Sequence, residues 1–275
     1  MSVVGVDHVE IGVSDLDRAL EFYRGVLGFA PAEPPGPSRP DVTWLDACSS
    51  SVPGASTLLA LVPALGEPGE PGPGCRQPYD LQRGFRHVGF KVGDVPACAE
   101  RLRDAGTTFT LEPVEAFGGV RLAFFTDPDG ALLEIIDGHL SYDRVWSQQL
   151  AAREAAAASS RSPAAGPALD HVAVTVQNLD ATLALYRDEL GYEPIGGLDH
   201  SFYDARGVQI DYLQAGPSII ELFTFTAAAT RPSTWTPDPG RLGIRGLGVA
   251  VPRAHHALDP HELLTPSGAQ PAIAG

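Results

Sequence analysis

An internal repeat constrains this chain more than any other feature. The stretch from Asp7-His8-Val9 to Leu27-Gly28-Phe29 recurs without gaps, 163 residues later, as Asp170-His171-Val172 to Leu190-Gly191-Tyr192. Self-similarity of this kind marks copies of one supersecondary unit. In each copy, alternating apolar residues (Val9, Ile11, Val13; Val172, Val174, Val176) read as a strand. Leu16, Leu20, Tyr23 and Leu27, matched by Leu179, Leu183, Tyr186 and Leu190, then repeat at helical spacing. A fainter echo begins at Arg86-His87-Val88-Gly89-Phe90-Lys91-Val92, where His87 takes the place of His8 and residues 97–102 supply a helix. Each module is therefore itself doubled. Residues 120–126, the turn Asp127-Pro128-Asp129-Gly130 and residues 131–136 read as strand, turn and strand, so the half is βαβββ.

The expected organisation is a first module over residues 1–140, a helix and linker over 141–167, and a second module over 168–275. Residues 140–158 are polar and alanine-rich, and Ser159 to Pro167 has linker composition. A Pro/Gly-rich stretch at 63–84 joins the halves of the first module and is long for a loop in a compact domain. A fourth half starts near Ile244-Arg245-Gly246-Leu247-Gly248, but only about two dozen residues follow its first strand. That is too few for a full βαβββ unit, so this copy is degenerate or is completed by another chain, as in a homodimer.

With 19 Lys and Arg against 34 Asp and Glu, the formal charge of −15 opposes binding to nucleic acid or an anionic membrane surface. A small-molecule partner is expected instead. The three cysteines, Cys48, Cys75 and Cys98, lack C-x-x-C spacing, which argues against a zinc knuckle or a disulfide framework and fits a reducing cytoplasm. The N-terminal residues have no basic-then-apolar pattern and no apolar run approaches membrane-spanning length, so neither secretion nor insertion is expected.

The His-headed first strands, the helix ending in F-Y-x-x-x-L-G-F and the D-P-D-G turn before a Glu-bearing strand resemble the vicinal oxygen chelate superfamily. That superfamily includes glyoxalase I, type I extradiol dioxygenases and bleomycin resistance proteins. The resemblance is good over about residues 4–138 and 168–226 and poor over 242–275. It implies an α+β fold in which paired βαβββ units form cup-shaped mixed sheets, as two tandem modules, the second incomplete at its C-terminus. It also implies metal ligands on the first and last strand of each half: in the first module His8, His87 and Glu134, with Ala60 at the remaining position. Two imidazoles and a carboxylate suit Fe, Mn, Zn, Ni or Co and leave positions for a substrate with two neighbouring oxygens.

Glu134 is also informative by itself. It interrupts the apolar run Leu132-Leu133-Glu134-Ile135-Ile136, where an uncompensated charge costs several kcal/mol, so it needs a metal or a partner such as Arg121. Ordinary pairing of halves leaves the second module with only His171 and Glu221. A swapped pairing of the second half with the third would instead assemble His87, Glu134, His171 and Glu221. Strand alternation places Glu10 on the face of His8 and Lys91 on that of His87, nominating both as substrate-binding residues. The expected function is that of a metal-dependent isomerase, lyase or dioxygenase, with Glu134 as its catalytic carboxylate. The other reading is a non-catalytic, bleomycin-resistance-like binding protein.

Overall fold

The structure is a computed structural model and describes residues 5–36, 39–50, 55–65, 81–233, 240–251 and 254–258. The first unit comprises β1 (Gly5–Val13), α1 (Leu16–Leu20), β2 (Ala30–Pro31), β3 (Thr43–Asp46) and β4 (Leu58–Pro63). The second comprises β5 (Gly84–Lys91), α2 (Val95–Asp104), β6 (Phe109–Glu115), β7 (Arg121–Thr126) and β8 (Leu132–Asp137). A connecting segment holds β9 (Arg144–Val145) and α3 (Gln148–Ser160). The third unit is β10 (Ala168–Thr175), α4 (Leu179–Leu183), β11 (Glu193–Asp199), β12 (Val208–Ala215) and β13 (Ser218–Phe225). Of the fourth, β14 (Gly243–Val251) and β15 (Ala254–Leu258) are described. The chain is thus α+β, built from mixed sheets of repeated units.

The same local chemistry starts each helix. Asp15, Asp94 and Asn178 stand at equivalent points after the first strand, and each side chain accepts the backbone N–H three residues on, satisfying a donor that the helix cannot use internally. The single helix expected from Leu16, Leu20, Tyr23 and Leu27 widens into π-helical turns at Glu21–Val26, and Ala184–Glu189 repeats this in the third unit. Gly28 ends the first of these at φ 83°, the left-handed conformation that glycine adopts without steric cost.

In every complete unit the first strand pairs in parallel with the last: β1 with β4, β5 with β8, and β10 with β13. The units themselves combine in an order that differs from the chain. β5 pairs antiparallel with β10, so the second and third units form one nine-stranded sheet, ordered β6-β7-β8-β5-β10-β13-β12-β11-β9. β1 pairs antiparallel with β14, so the first unit joins the fourth in a six-stranded sheet, ordered β15-β14-β1-β4-β3-β2. The halves therefore pair in the swapped manner.

Alternation along these strands separates core from cup. Val88 and Phe90, Leu133 and Ile135, Val172 and Val174, and Ile220 and Leu222 enter a single apolar core with Val9, Ile11, Leu59 and Leu61 of the other sheet and Tyr23 of the helical segment that follows β1. The two sheets thus share their helix-side packing, and the residues between these positions point to the opposite face. The Asp127–Gly130 turn adds a polar tie between the sheets: Asp129 accepts from the backbone N–H of Ser14 and from Arg18.

Candidate metal centre

Two rows of residues cross the concave face of the nine-stranded sheet. In one, Glu134 on β8 and His171 on β10 flank Gly89 of β5. In the other, His87 on β5 and Glu221 on β13 flank Ala173 of β10. The small residues at the centre are a geometric requirement: a Cβ at Gly89 would lie 2.1 Å from Cε1 of His171. With that space open, four ligand-type side chains from four adjacent strands converge.

His87, Glu134, His171 and Glu221 are all buried. Glu134 Oε2 lies 2.8 Å from His87 Nε2 and 3.0 Å from His171 Nε2, and the two Nε2 atoms are 3.0 Å apart. Glu221 Oε2 is 3.4 Å from the first imidazole and 3.5 Å from the second. Atoms about 2.1 Å from a shared transition-metal ion stand about 3.0 Å apart at octahedral angles and about 3.4 Å apart at tetrahedral ones. The separations among His87, Glu134 and His171, 2.8 to 3.0 Å, lie close to the octahedral value, and those to Glu221, 3.4 and 3.5 Å, close to the tetrahedral one.

The proton inventory points the same way. His171 Nδ1 lies 3.0 Å from Asp170 Oδ2, so in the neutral ring that nitrogen carries the hydrogen and Nε2 presents a lone pair to Glu134 and His87. Glu221 Oε2 is buried without a hydrogen-bond donor. Acceptors facing one another in a buried space are destabilising unless a cation or proton sits among them. In the metal-free protein burial opposes a charge on His171, but Glu221, Asp170 and Glu134 outweigh burial and hold its pKa well above the usual value. Burial likewise opposes ionisation of Glu134, yet hydrogen bonds from His171 and His87 lower its pKa to about 2. A divalent ion can take the place of a proton among His87, Glu134 and His171, whose donor atoms all lie within 4.8 Å of one another, so these residues fit a metal, with Glu221 beside them.

His8 is not part of this cluster. Its strand joins β14 instead of β5, which carries it to the six-stranded sheet, where its Nδ1 bonds Asp7 at 2.5 Å and its Nε2 lies 3.8 Å from Glu10 Oε1. The grouping of His8 with His87 and Glu134 is therefore corrected by the pairing of strands. Glu10 stays beside His8, bonded to Arg39, and away from the His87 cluster. Lys91 does belong to the nine-stranded sheet but is buried behind the ligands, with Nζ 3.2 Å from the Gly138 carbonyl and 3.9 Å from Asp170 Oδ2. Arg121, the alternative partner for Glu134, pairs with Asp137.

Sequence reasoning passed over Asp170 and Tyr212. Asp170 bonds His171, and Tyr212 bonds Glu221, with burial and the Glu221 charge raising the phenol pKa well above its usual value. Asp170 had a signal, since the Asp-His pair occurs in both copies of the repeat. Tyr212 had none, because a Tyr on an alternating strand reads as core.

The profile of the Glyoxalase/Bleomycin resistance protein/Dioxygenase superfamily matches residues 5–135. The chain is 35% identical over 129 residues to the uncharacterized protein YurT of Bacillus subtilis, an alignment spanning 46% of this chain and 93% of that protein. It is 25% identical over 225 residues to a lactoylglutathione lyase of Arabidopsis thaliana, spanning 81% of this chain and 67% of that one. Glyoxalase I from Zea mays has the same fold, with a TM-score of 0.56 at 21% identity over 82% of this chain and 69% of its own. No helix among the described residues is long and apolar enough to cross a membrane.

Proposed function

The chain belongs to the glyoxalase/bleomycin resistance protein/dioxygenase superfamily, and on that premise we propose that it is a divalent-metal-dependent enzyme of the lactoylglutathione lyase type. The ligands are His87, Glu134, His171 and Glu221. The units of duplication are residues 1–140 and 168–275, with 141–167 joining them. The free cysteines Cys48 and Cys98 are in keeping with a cytoplasmic location.

One observation carries this reading: the cluster contains two carboxylates beside its two imidazoles. Iron oxygenases characteristically use two His and one carboxylate, which leaves three positions of a six-coordinate ion for substrate and dioxygen. A fourth protein ligand leaves two, enough for the adjacent oxygens of an α-hydroxy acyl thioester and none for dioxygen. Lyase or isomerase chemistry is favoured over oxygenation for that reason.

When bound, the metal supplies Lewis-acid polarisation of a substrate carbonyl. The chain's own residues supply the rest. Interconverting a lactoyl thioester with its 2-oxoaldehyde hemithioacetal takes a proton from one carbon and returns it to the next. Glu134 Oε2 is engaged by both imidazoles, and this fixes its place among the ligands. Glu221 Oε2 has no donor in the cluster and is the carboxylate oxygen free to accept the proton, while Tyr212 holds the same side chain in place. Glu134, expected from the sequence to be catalytic, contributes mainly by holding the donor set together.

The test is incubation of the metal-loaded protein with the hemithioacetal formed from glutathione and a 2-oxoaldehyde, following appearance of the thioester. Turnover should disappear on chelation and return with the divalent ion. Undiminished turnover by fully metal-stripped protein would contradict the proposal.

A further inference from the structure

We propose that Asp170 is a positioning residue for the metal centre, and that the first unit, whose own cup shows no ligand set among the described residues, completes the centre by holding Asp170 through Ser50. This rests on the ligand assignment made above. Asp170 is buried and its Oδ2 takes the Nδ1 proton of His171. A histidine whose far nitrogen is fixed in this way presents its other nitrogen as a lone pair in one orientation, and its basicity rises. The other imidazole has no such support, because His87 Nδ1 is buried without a hydrogen-bond partner.

Asp170 is itself held on two sides. Its Oδ1 accepts a short hydrogen bond from the Ser50 hydroxyl, and the Lys91 ammonium lies 3.9 Å from Oδ2. Ser50 follows β3 of the six-stranded sheet, and its segment fastens onto the start of β10. Leu169 N–H donates to the Ala47 carbonyl at 2.9 Å, and Ser50 N–H donates to the Leu169 carbonyl at 3.0 Å. Cys48, between them, adopts φ 56°, a left-handed conformation that a non-glycine residue rarely takes. Ser50, Lys91 and Asp170 then line one small cavity with Glu154 and Arg161 of the connecting segment. Lys91, nominated from the sequence as a substrate contact, thereby acts from behind the ligand as the counter-charge of Asp170.

Co2+ is the probe, with affinity read by competition against a chromophoric chelator and geometry read from the visible spectrum of the bound ion. Asp170→Asn should weaken Co2+ affinity by ~10–100-fold and change the spectrum, with one equivalent still bound at saturation. Asp7→Asn, the same change on the equivalent Asp-His pair of the other sheet, should leave both unaltered. Ser50→Ala removes only one hydrogen bond and should weaken binding by about threefold or more; it also serves if Asp170→Asn does not fold. Wild-type affinity and spectrum in the Asp170 variant, or in the Ser50 variant where it stands in, would overturn the proposal. A wild-type protein that takes up no Co2+ would instead overturn the ligand assignment beneath it.

Discussion

The two cups keep the same frame and place their carboxylates differently. In the nine-stranded sheet, Ala173 and Gly89 leave the centre open and ligands stand on either side. In the six-stranded sheet, β1 corresponds to β10 and β14 to β5. There Gly246 replaces His87, Ala60 replaces Glu221, and Glu10 occupies the position of Ala173 between them. His8 keeps its Asp7 partner and its glycine, since a Cβ at Gly248 would lie 1.9 Å from its Cε1. What remains is an ion-paired group of Asp7, His8, Glu10 and Arg39 against the apolar patch of Val42, Trp44, Ala60 and Val62. Holding a histidine in place is therefore not sufficient for a metal site. Open space at the centre and donors on both flanks are also needed.

The largest effect should come from Glu221→Gln, which leaves the fold and most of the donor set in place but removes the proposed proton acceptor. Formation of the thioester from the hemithioacetal should fall by ~10^2–10^4-fold, whereas Glu10→Gln in the other cup should leave kcat/KM unchanged. Equal losses in the two variants would break the comparison.

Rebuilding the other cup sharpens it. The combination of Gly246→His, Ala60→Glu and Glu10→Ala clears the centre and supplies three of the four donor positions, with no counterpart of Glu134 among the described residues. Elemental analysis should then find a second equivalent of metal. Failure to gain one would mean that a carboxylate at the position of Glu134 is required as well.

Glycines give a smaller, paired effect. Gly89→Ala and Gly248→Ala each force a methyl group into a histidine ring, and overpacking of this kind costs ~1–3 kcal/mol. Thermal denaturation should show similar losses for both, and metal content should fall only in the Gly89 variant.

The smallest effects concern pH. Burial opposes ionisation of Glu10, but hydrogen bonding to His8 and the Arg39 charge lower its pKa to about 2. A carboxyl with a depressed folded pKa contributes stability above its unfolded value, about 4.5, and loses it as pH falls toward about 2. The advantage of wild type over Glu10→Gln should shrink across that window. In the metal-free nine-stranded cup Glu134 behaves likewise, while the raised pKa of His171 contributes fully below about 6.5 and fades as pH rises through its folded value. The apo cluster should thus stabilise the fold most between about 4.5 and 6.5. Metal binding displaces the His171 proton and should tighten as pH rises.

Much of this could be read from the residues. The repeat exposes the β-then-α unit, Glu134 stands out as a charge within an apolar run, and His87 occupies the position equivalent to His8. The pairing of units could not be decided in that way. β1 and β10 carry nearly the same Asp-His-Val pattern, and either offers β5 an equally apolar edge. The sequence therefore left His8 and His171 as competing neighbours for His87, and tertiary pairing resolves them. Lys91 shows a different limit: alternation identified its side of the sheet correctly, but gave no sign that Asp170 and the connecting helix α3 would enclose it.

Metal stoichiometry of two histidine variants bears most directly on which units build the centre. Protein purified without an affinity-tag metal should carry about one equivalent of a divalent transition metal; His171→Ala should lose it and His8→Ala should retain it. Loss in His8→Ala with retention in His171→Ala would contradict a centre assembled from the second and third units.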